Sequence, residues 1–400
     1  MDPFRASNSS DLAPGVEWAL LLAASSPDPA PSDLVAFCSR MSAPIQWEAF
    51  LQLADLHGTS SVVYQNLARV RDAAPPEVLA TLQERYERNI RKSLFLTREL
   101  IRILDCLRPL GIEVIPYKGV VLSETIYGDL ALRQSGDIDL FVRKQDVARI
   151  KTAVGELGFV PRFTIPAAAE SNYIASGYEL TFDSTAGKNL LELQWTLQPR
   201  FYAVDFDMDG VFQRAVSVTV AGHSMRLLTP EDLLIVLSVH AAKHVWGRLI
   251  WLCDIAQILK QQNLNWRWIE AQAKSSGIQR ILSVTLLLTH RFLGATIPSV
   301  LERTIAEDKA VLKFADEISA AVARGATYEE EQVAYFRLMM RLRERKADRL
   351  RFLTRLTFTP GPGEWEAVRL PASLFPLYRL IRLGRLAARF ARGVALNRGS

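Results

Sequence analysis

The residues of this 400-residue chain best suited to chemistry gather in one segment, Arg133-Gln134-Ser135-Gly136-Asp137-Ile138-Asp139-Leu140-Phe141-Val142. Read as a strand, residues two apart face the same way, so Asp137 and Asp139 project together while Ile138 faces the opposite side. Two carboxylates held side by side repel unless a cation lies between them. Hard divalent ions take such oxygen ligands, and Mg²⁺ commonly joins one or two carboxylates to substrate phosphates. A second run, Leu190-Leu191-Glu192-Leu193-Gln194-Trp195, puts Glu192 and Gln194 on a shared face. An acid inside so apolar a strand needs a partner or a metal. Three carboxylates on neighbouring strands suit a two-metal site for in-line displacement at phosphorus.

The elements that must hold these residues follow from apolar periodicity. Pro76 to Leu110 repeats apolar residues at three- and four-residue spacing, which predicts a helix stopped by Gly111. A short strand follows at 112–117, then a helix at 120–127, a strand at 138–142 and a helix at 144–157. Further strands are expected at 159–163, 178–183, 190–196, 215–220 and 224–228. Thr229-Pro230-Glu231-Asp232 is a helix start, with Thr229 as N-cap and Pro230 at the first helical position. Helices then continue to about residue 355. The expected plan is a flexible N-terminus (1–14), an N-terminal helical region (15–110), an α/β core (111–228) and a C-terminal helical domain (229–358). A linker with a Pro360-Gly361-Pro362-Gly363 break and a basic amphipathic helix close the chain (359–400).

Composition is near the globular average, with 49% hydrophobic and 23% charged residues, which excludes general disorder. The net charge of +5 is unevenly spread. Residues 337–400 hold fifteen basic and four acidic side chains, a net of +11, so the first 336 residues total −6. The basic character therefore lies outside the acidic segment, no nucleic-acid-binding motif appears, and nucleic acid is not an expected partner. Cys38, Cys106 and Cys253 are too few and too scattered for a disulfide framework or a metal site. The apolar run Trp18–Ala24 follows Asp2, Asp11 and Glu17, which does not suit a signal peptide. No stretch of eighteen apolar residues is free of charge, so a spanning helix is not expected either. A cytoplasmic protein is the expectation.

With these residues in view, the run Tyr117-Lys118-Gly119-Val120-Val121-Leu122, Tyr127-Gly128, Arg133, Gly136-Asp137-Ile138-Asp139-Leu140-Phe141-Val142 and Leu157-Gly158-Phe159 resembles the DNA-polymerase-beta-type nucleotidyltransferase superfamily. More narrowly, it is similar to a largely uncharacterised bacterial nucleotidyltransferase family. His57-Gly58-Thr59-Ser60-Ser61 resembles that family's helical leader. His240-Ala241-Ala242-Lys243-His244, with Trp246, Arg248, Trp251 and Asp254, resembles its helical C-terminal part. The resemblance implies an α+β fold: a polymerase-beta-like core with a mixed sheet, flanked by N-terminal and C-terminal helical regions. It implies transfer of a nucleoside monophosphate from an NTP, ATP first among them, to an acceptor hydroxyl with loss of pyrophosphate. Two Mg²⁺ ions, or Mn²⁺, would serve as cofactors. Carried onto this chain, Asp137, Asp139 and Glu192 hold the metals, and Glu192 takes the acceptor's proton. Lys118 and Gly119 meet the phosphates, Arg133 clamps phosphate oxygens with its planar fork, and the amides of Ser135 and Gly136 face phosphate. The chain departs from the superfamily in carrying Lys-Gly for the usual Gly-Ser, eighteen positions before Asp137. It also has Gln194 where close relatives are expected to carry His.

His240, Lys243 and His244 share a helix face. Two His at this spacing could bind zinc, but a third ligand is lacking, so the open alternatives are a structural His network or contact with nucleotide or acceptor. The tail carries Arg379, Arg382, Arg385, Arg389 and Arg392 at helical spacing. It suits an anionic membrane surface or an acidic partner, or else it packs on the protein's own body. Three functions remain in play: a nucleotidyltransferase, whose acceptor is a small molecule, saccharide, peptide or protein; a phosphotransferase using the same site; and a nucleotide-binding adaptor without catalysis.

Overall fold

The structure, a computed structural model, describes residues 15–29, 34, 44–70, 74–163, 167–185, 187–261, 263–325, 333–359, 364, 368 and 370–396. The expected flexible start at 1–14, the break at 360–363 and Cys38 lie outside the described residues. The chain opens with helices α1 (Val16–Ser25), α2 (Trp47–Leu56), α3 (Ser60–Ala68) and the long α4 (Pro76–Leu107). The α/β segment follows as β1 (Val114–Pro116), α5 (Val120–Tyr127), β2 (Ile138–Val142), α6 (Val147–Glu156), β3 (Val160–Pro161), α7 (Ala167–Ser176), β4 (Glu179–Ser184), β5 (Gly187–Gln194), α8 (Met208–Arg214), β6 (Val216–Val220) and β7 (His223–Leu227). Helices then return: α9 (Pro230–Lys243), α10 (Leu249–Gln261), α11 (Trp266–Ser275), α12 (Gln279–Leu293), α13 (Ser299–Glu307), α14 (Lys309–Ala323), α15 (Val333–Arg341), α16 (Lys346–Phe358) and α17 (Tyr378–Leu396).

The fold is α+β, a mixed sheet with helical flanks. Five strands run in the order β1-β2-β5-β4-β3, and β6 and β7 form a separate antiparallel hairpin. The β2–β5 pair is parallel and the other pairings of the large sheet are antiparallel. α5 and β2 fall where the apolar spacing put them. Thr229 caps α9 by accepting from the Asp232 amide, as its sequence position implied. Differences are local. Lys144–Asp146 is a 3₁₀ turn ahead of α6, the strand expected at 159–163 shortens to β3, and 372–377 is a 3₁₀ segment ahead of α17. The unexpected α7 fills the gap between β3 and β4. It is Ala-rich with only weak amphipathic spacing, so periodicity does not reveal it.

Two hydrophobic cores lie on either side of the large sheet. One joins Ile138, Leu140, Leu191 and Leu193 to α6 and to Leu96, Leu100, Ile103 and Leu107 of α4. The other joins Tyr117 and Phe141 to α1, α3, α9, α10 and α12, and also takes Val78 and Leu82 from the first turns of α4. Thus α4 spans both cores. The basic tail packs on the protein: Arg382 is buried, donates to the Leu356 carbonyl and pairs with Glu364 at 3.1 Å, and Arg385 reaches Glu364 at 3.3 Å. Among the described residues no helix is long and apolar enough to cross a membrane.

Candidate active site

The parallel pairing of β2 and β5 sets the chemistry. Its register puts Asp139 beside Glu192 and Phe141 beside Gln194. Asp137 precedes the strand on the same face as Asp139. One carboxylate oxygen from each of Asp137, Asp139 and Glu192 lies within 4.8 Å of the others, and among the described residues this is the cluster of three His, Cys, Asp or Glu close enough to hold a metal ion. Among the described residues His240 and His244 are not part of any such cluster. The far faces of the strands, Ile138, Leu140, Leu191 and Leu193, are buried, so the carboxylates cannot turn away from one another without exposing that core.

The segment 117–137 wraps this cluster. Gly119 has φ +65° and ψ −135°, a conformation essentially reserved for glycine. A Cβ there would come within 3.1 Å of the Asp137 carbonyl oxygen. Glycine is therefore required for the close approach of two parts of this chain. Lys118 places its Nζ 2.7 Å from Asp139 Oδ1, both side chains being buried. Tyr117 stacks on Phe141 with centroids 3.9 Å apart and donates to Gln194 Oε1 at 2.7 Å. Gln194 in turn donates to Glu192 Oε2 at 3.2 Å. Arg133 is buried and largely committed within the protein. Its Nε donates to both oxygens of Asp254 at 2.9 and 3.0 Å, and Nη1 donates to Ser135 Oγ at 3.1 Å. Tyr127 donates to the same Asp254 at 2.8 Å. From α4, Asn89 donates to the carbonyls of Ala131 and Arg133. The approach to Asp137 is thus anchored from two helices.

Electrostatics mark the cluster as incomplete. Burial, then the Asp139 charge, push Asp137 up to about 6. Burial, Asp139 and Glu179 push Glu192 up to about 8. Burial works against the Lys118 charge, but Asp139, Glu192 and Asp137 outweigh it and raise its pKa. Lys118, aided at Asp137 by Arg133 and Lys92, does not balance the crowded carboxylates, since Asp137 and Glu192 both stay raised. Hard oxygen donors, close spacing and unrelieved repulsion together fit a divalent cation.

A cavity of about 350 Å³ opens over the cluster. The strand side supplies Lys118, Arg133, Ser135, Gly136, Asp137, Asp139, Glu192 and Gln194, and α9 with its following loop supplies His240, Lys243 and His244. Every candidate named from sequence lines it except Gly119, which lies behind Asp137. The His240 and His244 rings sit 4.8 Å apart, both against Trp251. Burial, then the Lys118, His244 and Lys243 charges, hold His240 well below its ordinary pKa, so it is neutral. Lys243 lies over the Tyr178 ring, whose hydroxyl donates to Glu179.

Sequence reasoning did not single out Glu179, Gln134 or Lys92. Glu179 is opposite Gln194 in the β4–β5 register and lines the cavity as a fourth carboxylate. The signal was an acid at the head of a strand, but its meaning depended on which strand it paired with. Lys92 of α4 reaches within 3.9 Å of where a Gly136 side chain would begin, and its charge acts on Asp137.

A family model described as an uncharacterised nucleotidyltransferase matches residues 43–294, which include α2 through α12 and all of the cavity's lining residues. No curated protein and no solved structure matches the chain.

Proposed function

We propose, for a chain that belongs to the uncharacterised nucleotidyltransferase family, a divalent-metal-dependent transfer of a nucleoside monophosphate from an NTP to an acceptor hydroxyl, with pyrophosphate leaving. Membership makes the chain a transferase acting on an NTP. The observation that carries the finer reading is the carboxylate cluster of Asp137, Asp139 and Glu192 at the floor of a cavity with cationic walls. When bound between these carboxylates, a pair of divalent ions, Mg²⁺ or Mn²⁺, would offset charge on the reacting phosphate and lower the pKa of the attacking hydroxyl.

The protein's own residues would do the rest. Asp139 and Asp137 would hold the cations that meet the α-phosphate, and the Lys118 ammonium beside Asp139 would add positive charge on that side. Glu192, on the neighbouring strand and with its pKa pushed up to about 8, would take the proton from the acceptor. Gln194 holds the Glu192 carboxylate in place while its own orientation is set by Tyr117. His240, Lys243 and His244 bound the space left for the substrates. ATP and Mg²⁺ are the first pair to try, and the acceptor is a small molecule, saccharide, peptide or protein. The scattered cysteines, Cys106 and Cys253 being free, suit a reducing cytoplasm.

The test follows label from the NTP into candidate acceptors. Transfer of α-label with pyrophosphate release is expected, and Asp137→Asn plus Asp139→Asn should abolish it. Transfer of γ-label would replace this reading with phosphoryl transfer. NTP binding without turnover over a broad acceptor screen would favour an adaptor.

A further inference from the structure

The loop between α9 and α10 is built with unusual constraint. Val245 and Trp246 both have left-handed backbones, at φ 52° and 50°, and neither is glycine. A β-branched residue in this region is an outlier that persists only where its surroundings over-determine it. The surroundings do so here. Trp246 is fully buried, and its indole Nε1 donates to Thr285 Oγ1 of α12 at 2.9 Å. Its amide donates to the Ala241 carbonyl at 2.7 Å. Beyond the loop, His57 from the N-terminal helices caps the start of α10. The Leu249 amide donates to His57 Nδ1 at 3.3 Å, and the Ile250 amide donates to the His57 carbonyl at 3.1 Å.

The result of this construction is Arg248. Its side chain lines the cavity, yet the residue is exposed. Its guanidinium makes no hydrogen bond or ion pair with any described residue. The other cavity cations are engaged: Lys118 with Asp139, Arg133 with Asp254 and Ser135, and Lys243 over Tyr178. The cavity is bipolar, with the carboxylates on the sheet side and the cations Lys243 and Arg248 on the helical side. A ligand that satisfies both walls carries one phosphate to the carboxylate cluster and further negative charge away from it. A polyphosphate chain has that form, and a guanidinium fork matches phosphate oxygens.

We propose that Arg248 is a substrate-binding residue that seats the terminal phosphates of the nucleoside triphosphate, on a loop held rigid by Trp246 and His57. This assignment rests on the nucleotidyl-transfer reading and moves the role of phosphate clamp from the committed Arg133 to the helical side. The experiment compares the full-length protein with Arg248→Ala and Arg248→Lys by calorimetric titration in Mg²⁺. The ligands are the four NTPs and inorganic tripolyphosphate, which has no base or sugar. Arg248→Ala should weaken the preferred NTP and tripolyphosphate by a similar factor, about 10-fold or more, with Arg248→Lys recovering part of the loss. Unchanged melting temperatures would exclude a folding effect. Loss of NTP affinity with tripolyphosphate binding unchanged would place Arg248 on the nucleoside and overturn the assignment, as would wild-type affinity for both. Failure of the unmodified protein to bind any NTP would overturn the nucleotidyl-transfer reading itself.

Discussion

Lys118 stands against carboxylates that would otherwise only repel one another. Its pair with Asp139 is buried on both sides, so Lys118→Met leaves a buried charge uncompensated. The expected cost is about 3–5 kcal/mol at alkaline pH by urea denaturation, shrinking when Mg²⁺ is added. The crowding also has a pH signature. Asp137 is raised from 3.8 to about 6 and Glu192 from 4.5 to about 8. Between those limits the folded state binds more protons than the unfolded state, so both groups remove stability as pH rises through them. In metal-free protein the melting temperature should therefore fall between pH 6 and pH 8, the Glu192 range. Mg²⁺ should raise it more at the upper pH, and Glu192→Gln should flatten both effects. Equal Mg²⁺ shifts at the two pH values would count against a cation among these carboxylates.

The connection from β1 through α5 to β2 decides how accurately the carboxylates meet. Gly119 is its tightest point, with a positive φ and the Asp137 carbonyl 3.1 Å from a hypothetical side chain. Gly119→Ala should cost about 1–3 kcal/mol of stability. It should also displace Asp137, and displacements near 1 Å can reduce turnover about 100-fold. Urea denaturation and steady-state rates read the two effects separately. If turnover survives while stability falls, the glycine serves the fold and not the site. α5 and β2 were legible from apolar spacing because each is a local pattern, and Thr229 as a cap was legible because capping is a local hydrogen bond. α7 and the 3₁₀ turn at Lys144–Asp146 were not, since they answer to the packing around them.

The whole molecule explains the tail and the charge. Deleting residues 371–400 removes six arginines and no acid, which takes the net charge from +5 to −1. It also strips the buried Glu364 carboxylate of Arg382 and Arg385. The truncated protein should lose retention on a cation exchanger and melt at a lower temperature. Its NTP affinity should be unchanged, because none of the described tail residues lines the cavity. A large loss of NTP affinity would mean that the tail reaches the site in the working enzyme. The two cores carry the same lesson at larger scale: α4 contributes its first turns to one and its last turns to the other, so it couples the helical body to the sheet that bears the carboxylates.

Which residues could act was readable from local pattern alone. Alternation within 137–142 and 190–195 put Asp137 with Asp139 and Glu192 with Gln194, because side-chain direction along a strand depends only on its own chain. How those pairs combine depends on the packing of distant segments. The parallel register of β2 on β5 sets Asp139 against Glu192, and the β4 register adds Glu179 beside them. That packing also decides which cations are taken: Asp254, 121 positions away, engages the Arg133 that spacing offered to phosphate. Arg248 has no such partner among the described residues, at the end of a loop with left-handed Val245 and Trp246. Pairings between distant segments depend on how the cores pack, and a one-dimensional pattern of residue types does not contain them.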